Sequence, residues 1–217
     1  DAMLVLAYQF MAQCPVEHLK EVMALFSLTA LEICEGQQMD MEFEQRNDVK
    51  EEEYLEMIRL KTSVLLAVSL KIGALLGGAS ADDAEYLYDF GMNMGVAFQL
   101  KDDLLDVYGD AVVFGKNIGG DILCNKKTYM LIKALEHADK EQLSRLEHWI
   151  NVVDFNPAEK VMAVTDLYNQ IGVKILCENK IMEYRDKAMD SLRAVNVTNE
   201  KKREFDKLIK ELMYREV

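Results

Sequence analysis

The sequence predicts an all-α fold, a bundle of long helices. Three observations carry this. Only two prolines and eleven glycines interrupt 217 residues. Apolar residues recur at the helical spacing over long runs, and no stretch reads convincingly as a strand. Methionine is abundant, at thirteen residues, in a composition that favours helices.

The elements follow in order. Helices are expected at roughly 1–13, 18–46, 51–77, 81–108, 128–138, 140–152, 157–195 and 198–214. Pro15 separates the first from the second, and Asn47-Asp48 the second from the third. Gly77-Gly78-Ala79-Ser80 ends the third. Ser80 can cap the next helix, with Asp83 at its third position. Residues 109–127 form the one long irregular stretch, and such loops are more often functional than idle. Asp154 to Pro157 opens a long penultimate helix, with proline in its first turn. There is no internal repeat and no low-complexity segment.

The helix over 81–108 organises the rest. Val96, Leu100, Leu104 and Val107 form an apolar stripe suited to a core. Gly91, Gly95, Gln99, Asp102 and Asp106 fall on the opposite side, with Asp103 at its edge. Glycine costs ~1 kcal/mol in a helix interior relative to alanine. Two glycines in line with carboxylates therefore predict a face turned to a cavity, where another body approaches the backbone. Asp102 and Asp106 stand four apart, so their Cβ atoms lie ~5–6 Å from each other. Their charges repel by ~3 kcal/mol at an effective dielectric near 20. A recessed carboxylate pair needs a cation. Oxygen donors without Cys or His suit a hard divalent ion such as Mg²⁺. The plainer alternative is a solvated acidic face.

Other helices turn polar groups inward. In the third, the stripe Tyr54, Ile58, Lys61, Leu65, Val68, Ile72 carries a lysine at its centre, with Thr62 beside it. A buried ammonium must meet an anion or snorkel outward. In the second, Val22, Phe26 and Ile33 lead into Gln37 and Asp40. A buried Lys–Asp pair satisfying itself would explain one such case; three together favour a polar cavity. The loop Phe114-Gly115-Lys116-Asn117-Ile118-Gly119-Gly120-Asp121, with Lys126 and Thr128 after it, adds flexible glycines and lysines that can meet phosphate. It is not a P-loop, because the Gly-x-x-x-x-Gly-Lys-Ser/Thr pattern is absent. Lys127 is expected to face solvent, since adjacent residues rarely face one cavity.

Composition narrows the partners. A net charge of −13 argues against nucleic acid, which requires a basic face. It does not preclude an anionic substrate, because a bound cation inverts the local sign. Cys14, Cys34, Cys124 and Cys177 lack metal-type spacing and read as reduced thiols of an intracellular protein. No apolar run reaches transmembrane length, so no stable membrane insertion is expected. The chain starts at Asp1 and enters an apolar helical pattern at once, which reads as a cut through a larger protein.

Together these residues resemble the trans-isoprenyl diphosphate synthases, or polyprenyl synthetases, over essentially the whole chain. Gly95-Val-Ala-Phe-Gln-Leu-Lys-Asp-Asp-Leu-Leu-Asp106 is similar to that family's second aspartate-rich motif. Gly115-Lys116 to Asp121, then Lys126 and Thr128, resembles its lysine loop. Lys61-Thr62 resembles its Lys-Thr pair, and Gly36-Gln37 with Asp40 its Gly-Gln-x-x-Asp element. Asp106-Val-Tyr-Gly-Asp110 is closer to short-chain members.

The resemblance implies a helical isoprenoid synthase fold around a central cavity, with residues 1–217 as the C-terminal two-thirds of a single domain. It implies condensation of an allylic diphosphate with isopentenyl diphosphate, with release of pyrophosphate. Asp102 would hold Mg²⁺, and Asp103 and Asp106 would orient its waters. Lys61, Lys116 and Lys126 would bind the allylic diphosphate. Gln37, Asp40, Thr62, Phe98 and Gln99 would line the same site, with Thr62 and Gln99 joining the lysines in catalysis. A cytoplasmic homodimer is implied. The family's first aspartate-rich motif has no counterpart here and would precede Asp1, so the segment alone is expected to be inactive. Two alternatives stand beside this reading: a terpene cyclase-like enzyme of the same fold, and a non-catalytic subunit of a prenyl diphosphate synthase.

Overall fold

The computed structural model describes residues 2–109 and 118–213, and the described residues form helices joined by short turns and loops, without strands. The helices are α1 (Ala2–Met11), α2 (Val16–Phe43), α3 (Glu51–Ile58), α4 (Val64–Leu76), α5 (Ala81–Tyr108), α6 (Gly120–Leu123), α7 (Tyr129–His137), α8 (Lys140–Asn151), α9 (Pro157–Ile171), α10 (Val173–Ala194) and α11 (Asn199–Met213). A π-turn, Arg59–Ser63, joins α3 to α4 without leaving the helical path.

α5 is the axis of the bundle. Ser80 caps it by accepting the Asp83 backbone N–H at 3.1 Å, as the sequence predicts. Phe90, Met94, Ala97 and Leu100 on this helix are completely buried. It packs most extensively on α10 and α4, with α2 meeting the π-turn and α4 from outside. The main core runs along α5, α7, α9 and α10, and a smaller cluster of Val22, Val68 and Ile72 seals α2 to α4.

Glycines set how closely these layers approach. A Cβ built on Gly91 would lie 2.7 Å from the Cα of Ala67, and one on Gly95 would lie 2.6 Å from the Cα of Ser63. One on Gly36 of α2 would overlap the backbone nitrogen of Lys61. The body that approaches Gly91 and Gly95 is therefore a neighbouring helix and not a cavity, which corrects the sequence expectation. Hard packing on both sides holds the backbone of residues 59–67 between α2 and α5.

Two expected helices are interrupted. The third is broken by the π-turn. The penultimate one, expected over 157–195, divides at Gly172, which takes φ +83° and ends α9 in a left-handed cap. Part of the expected irregular loop forms α6, entered through Gly119 at φ +83°. α1 buries none of its residues, and Met3, Val5 and Phe10 are exposed. No described helix is long and apolar enough to cross a membrane.

Candidate functional site

One recess collects side chains from five places in the chain. Asp40 comes from α2, Tyr54, Met57 and Ile58 from α3, and Lys61 and Thr62 from the π-turn. Gln99 and Asp103 come from α5, and Lys126 from the segment after α6. The π-turn delivers Lys61 and Thr62 as neighbours to one wall, and such turns often mark functional positions.

Lys61 donates to Asp40 Oδ2 at 2.6 Å, and both side chains keep some exposure. The lysine thus meets an anion, as its place on an apolar stripe demands. Thr62 Oγ1 donates to Gln99 Oε1 at 3.2 Å, and Gln99 Nε2 donates to Asp103 Oδ1 at 3.2 Å. The Tyr54 hydroxyl donates to Asp103 Oδ2. Asp103 is only 2% exposed, and burial pushes its carboxyl up to about 7, against the pull of Tyr54 and Lys126.

Both oxygens of Asp103 thus have partners inside the protein, whereas Asp102 and Asp106, expected to act with it, keep more exposure. Among the described residues no three acidic, Cys or His side chains converge as a metal cluster. Asp102 and Asp106 are half-buried on the outer side of the same helical turn. Asp106 Oδ2 accepts the Asp121 backbone N–H at 2.9 Å, and its carbonyl accepts the Gly119 N–H at 2.6 Å. The carboxylate helix therefore pins the glycine loop.

Asp121, given no separate role by the sequence reading, belongs to this group. Burial raises its carboxyl first of all, Lys126 opposes, and the charges of Asp106 and Asp102 raise it further. Lys126 lies 3.5 Å from Asp121 Oδ1. Burial works against the Lys126 charge, but Asp103, Asp121 and Asp40 outweigh it and keep its pKa above the ordinary value. Asp102, Asp106 and Asp121 thus form a negative surplus beside a lysine that answers only part of it. Oxygen donors suit a hard divalent cation, and as placed these carboxylates supply the charge for one without three of them converging on a single point.

Other expectations fall differently. Gln37 is exposed and does not line the recess; Asp40 is the residue that α2 contributes there, while the neighbouring Gly36 is buried against the backbone of Lys61. Phe98 is half-buried and also outside the lining. Lys116 lies outside the described residues. Lys127 is not turned to solvent: it is 9% exposed and its Nζ donates to the Asn125 carbonyl at 3.0 Å. Loss of hydration there holds its pKa below the ordinary value.

Two polar contacts near the recess have no counterpart in the sequence reading. Tyr54 shares a helical face with Lys61, seven residues on, but its bond to Asp103 is not written in the pattern. Lys160 carries no local signal. It is 1% exposed, its Nζ donates to Asn125 Oδ1 at 2.7 Å, and it lies 4.4 Å from the Phe155 ring centroid. It fastens α9 to the left-handed Asn125, φ +52°, next to Lys126.

Comparison with known proteins adds independent findings. Residues 1–170 match the model of the polyprenyl synthetase family. A short chain isoprenyl diphosphate synthase of Methanothermobacter thermautotrophicus is 41% identical over 156 residues, covering 72% of this chain and 47% of that protein. A crystal structure of a geranylgeranyl pyrophosphate synthase superposes with a TM-score of 0.92 at 38% identity, over 100% of this chain and 67% of that one. A geranylgeranyl pyrophosphate synthase from Corynebacterium glutamicum, complexed with isoprenyl diphosphate and magnesium, superposes with a TM-score of 0.88 at 26% identity. It is covered over 61% of its length, by 98% of this chain. The chain spans about half the length of the curated relatives it matches.

Proposed function

This chain belongs to the polyprenyl synthetase family, and from that membership and the recess we propose that the protein carrying it is a short-chain prenyltransferase. It joins an allylic diphosphate to isopentenyl diphosphate and releases pyrophosphate. The observation that carries the reading is the convergence of Lys61 and Lys126 on one recess, beside the carboxylates of Asp102, Asp106 and Asp121.

The residues suit bond ionisation. Lys61 leaves Asp40 and lays its charge on the departing diphosphate, with Lys126 opposite. Each lysine acts as a point charge where negative charge develops. The allylic C–O bond breaks and its electron pair leaves with pyrophosphate. The isopentenyl double bond attacks the allylic carbon, and the adduct gives up a proton to the released pyrophosphate as the new double bond forms. Thr62 and Gln99 line the reacting end and hold polar oxygens in fixed positions. Asp102, with Asp106 and Asp121 near it, would hold Mg²⁺, which neutralises diphosphate charge when bound. The C. glutamicum relative, crystallised with isoprenyl diphosphate and magnesium, supports that choice of ion. The expected homodimer and cytoplasmic setting belong to the same reading.

The test is direct. The protein carrying residues 1–217 is incubated with geranyl or farnesyl diphosphate, radiolabelled isopentenyl diphosphate and Mg²⁺. Label should pass into a longer prenyl diphosphate, and EDTA should stop it. Absence of any elongated product, with each allylic primer tried, would overturn the proposal.

A further inference from the structure

The geometry points to Tyr54 as a positioning residue that fixes, through Asp103, the direction of a hydrogen-bond chain ending on Thr62 in the recess. What that direction serves rests on the prenyl-transfer reading; the direction itself rests on the side chains alone. Four groups are in line. The Tyr54 hydroxyl donates to Asp103 Oδ2, Gln99 Nε2 donates to Asp103 Oδ1 at 3.2 Å, and Thr62 Oγ1 donates to Gln99 Oε1 at 3.2 Å.

The order of donors follows from the chemistry of each group. Gln99 turns its NH₂ toward Asp103 and its oxygen toward Thr62, the orientation that an ionised Asp103, which only accepts hydrogen bonds, enforces. An amide has nearly the same shape either way round, so its neighbours decide its orientation. With Gln99 set, the Thr62 proton is committed to Gln99 Oε1. The hydroxyl then presents only lone pairs to the recess. Had the amide been reversed, the Thr62 hydroxyl would accept from it and aim its proton elsewhere.

Tyr54 is what holds the first link. It is 2% exposed, and its phenol sits at the floor of the recess with its hydroxyl spent on Asp103. It comes from α3, whereas Asp103 and Gln99 share α5, so the bond ties this carboxylate across helices. Without it, Asp103 Oδ2 is a buried acceptor with no partner, a costly state that a turned carboxylate or an admitted water would relieve. Either change frees the Gln99 amide to take both orientations. A Tyr54 that merely filled core space would be replaced by phenylalanine without consequence for the recess.

Tyr54→Phe, made in the protein carrying this chain, keeps the ring and removes the hydroxyl. The kcat for prenyl transfer is expected to fall about tenfold or more. KM for the allylic diphosphate should stay within about twofold, because the lysines that hold it keep their charges. On an Asp103→Asn background the same change should cost nothing further, since Tyr54 acts through Asp103. A wild-type kcat in Tyr54→Phe, or an equal loss on both backgrounds, would overturn the assignment. A second readout needs no turnover. The Gln99 side-chain amide protons should show protected, slowly exchanging NMR signals in the wild type and lose that protection in Tyr54→Phe. Unchanged protection overturns the chain of bonds whatever the enzyme does. Lost protection in a protein with no prenyl-transfer activity upholds the chain and counts against the functional reading alone.

Discussion

Lys61 shows how one side chain can be both paired and available. Its bond to Asp40 at 2.6 Å joins two groups that are 35% and 19% exposed. Water still reaches the pair, so breaking it costs stability only about 1 kcal/mol or less. A charge-assisted bond from the same lysine to a phosphate oxygen is worth roughly 1.5–3 kcal/mol. Lys61→Met should therefore weaken inorganic pyrophosphate binding in the presence of Mg²⁺ about tenfold or more. The melting temperature should hardly move. Calorimetric titration with a parallel thermal melt checks both, and unaltered affinity would remove Lys61 from the site. At this scale the sequence was informative where an expensive residue stood on an apolar stripe, as Lys61 does. It was uninformative where a residue sat on a boundary between faces. Asp103 lies at the edge of the carboxylate side of α5, where part of a turn separates the outer face from the core, and the bond to Tyr54 on another helix holds it inward.

The helices were legible in proportion to the chemistry at their ends. α5 has the predicted bounds because Ser80 caps its start and Gly109 follows its last residue. The π-turn was invisible, because Arg59-Leu-Lys-Thr-Ser63 continues a helical pattern without a breaker. The break at Gly172 was invisible too, since apolar residues keep their period on both sides and only the left-handed φ reveals it. The meaning of Gly95 was also beyond the sequence: a small residue permits close approach without saying by what. The answer permits a prediction. Alanine at 95 should gain ~1 kcal/mol from helix propensity. Its Cβ would meet the Ser63 Cα at 2.6 Å, and backbone on the far side cannot rotate away. Overpacking of this kind costs about 1–3 kcal/mol. Gly95→Ala should thus be destabilising on balance, and it should displace the π-turn that carries Lys61 and Thr62. Gly73→Ala, with nothing within 4 Å of the new Cβ, is the control and should be neutral or stabilising. Equal denaturant midpoints for the two variants would contradict the packing argument.

Across the whole molecule, the buried carboxyl of Asp103 and the half-buried one of Glu51 pull stability in opposite directions with pH. Glu51 of α3 bonds Lys133 of α7 and, at 3.0 Å, Lys180 of α10, so it ties three helices together. Burial opposes its ionisation, but the two lysines outweigh burial and hold it below its ordinary 4.5. The unfolded chain then binds more protons than the folded one at low pH. The contribution of Glu51 is present above about 4.5 and is lost as pH falls through its folded value. Asp103 behaves in reverse. Its carboxyl is pushed from 3.8 to about 7, so between those values the folded protein holds a proton the unfolded chain has lost. Stability from Asp103 is whole below 3.8 and erodes as pH rises through about 7. The melting temperature of the metal-free protein, measured in EDTA, should therefore pass through a maximum in the mildly acid range. Asp103→Asn removes the ionisable group from the buried position and should flatten the alkaline side of that curve. Glu51→Gln should flatten the acid side and leave the alkaline side unchanged. Adding Mg²⁺ should lift the wild type most above pH 7, where Asp103 has lost the proton that burial holds on it and a cation has most to neutralise. A wild-type curve that rises steadily from pH 5 to pH 8 in EDTA would mean that Asp103 is ionised throughout, and that Lys126 and Tyr54 outweigh its burial.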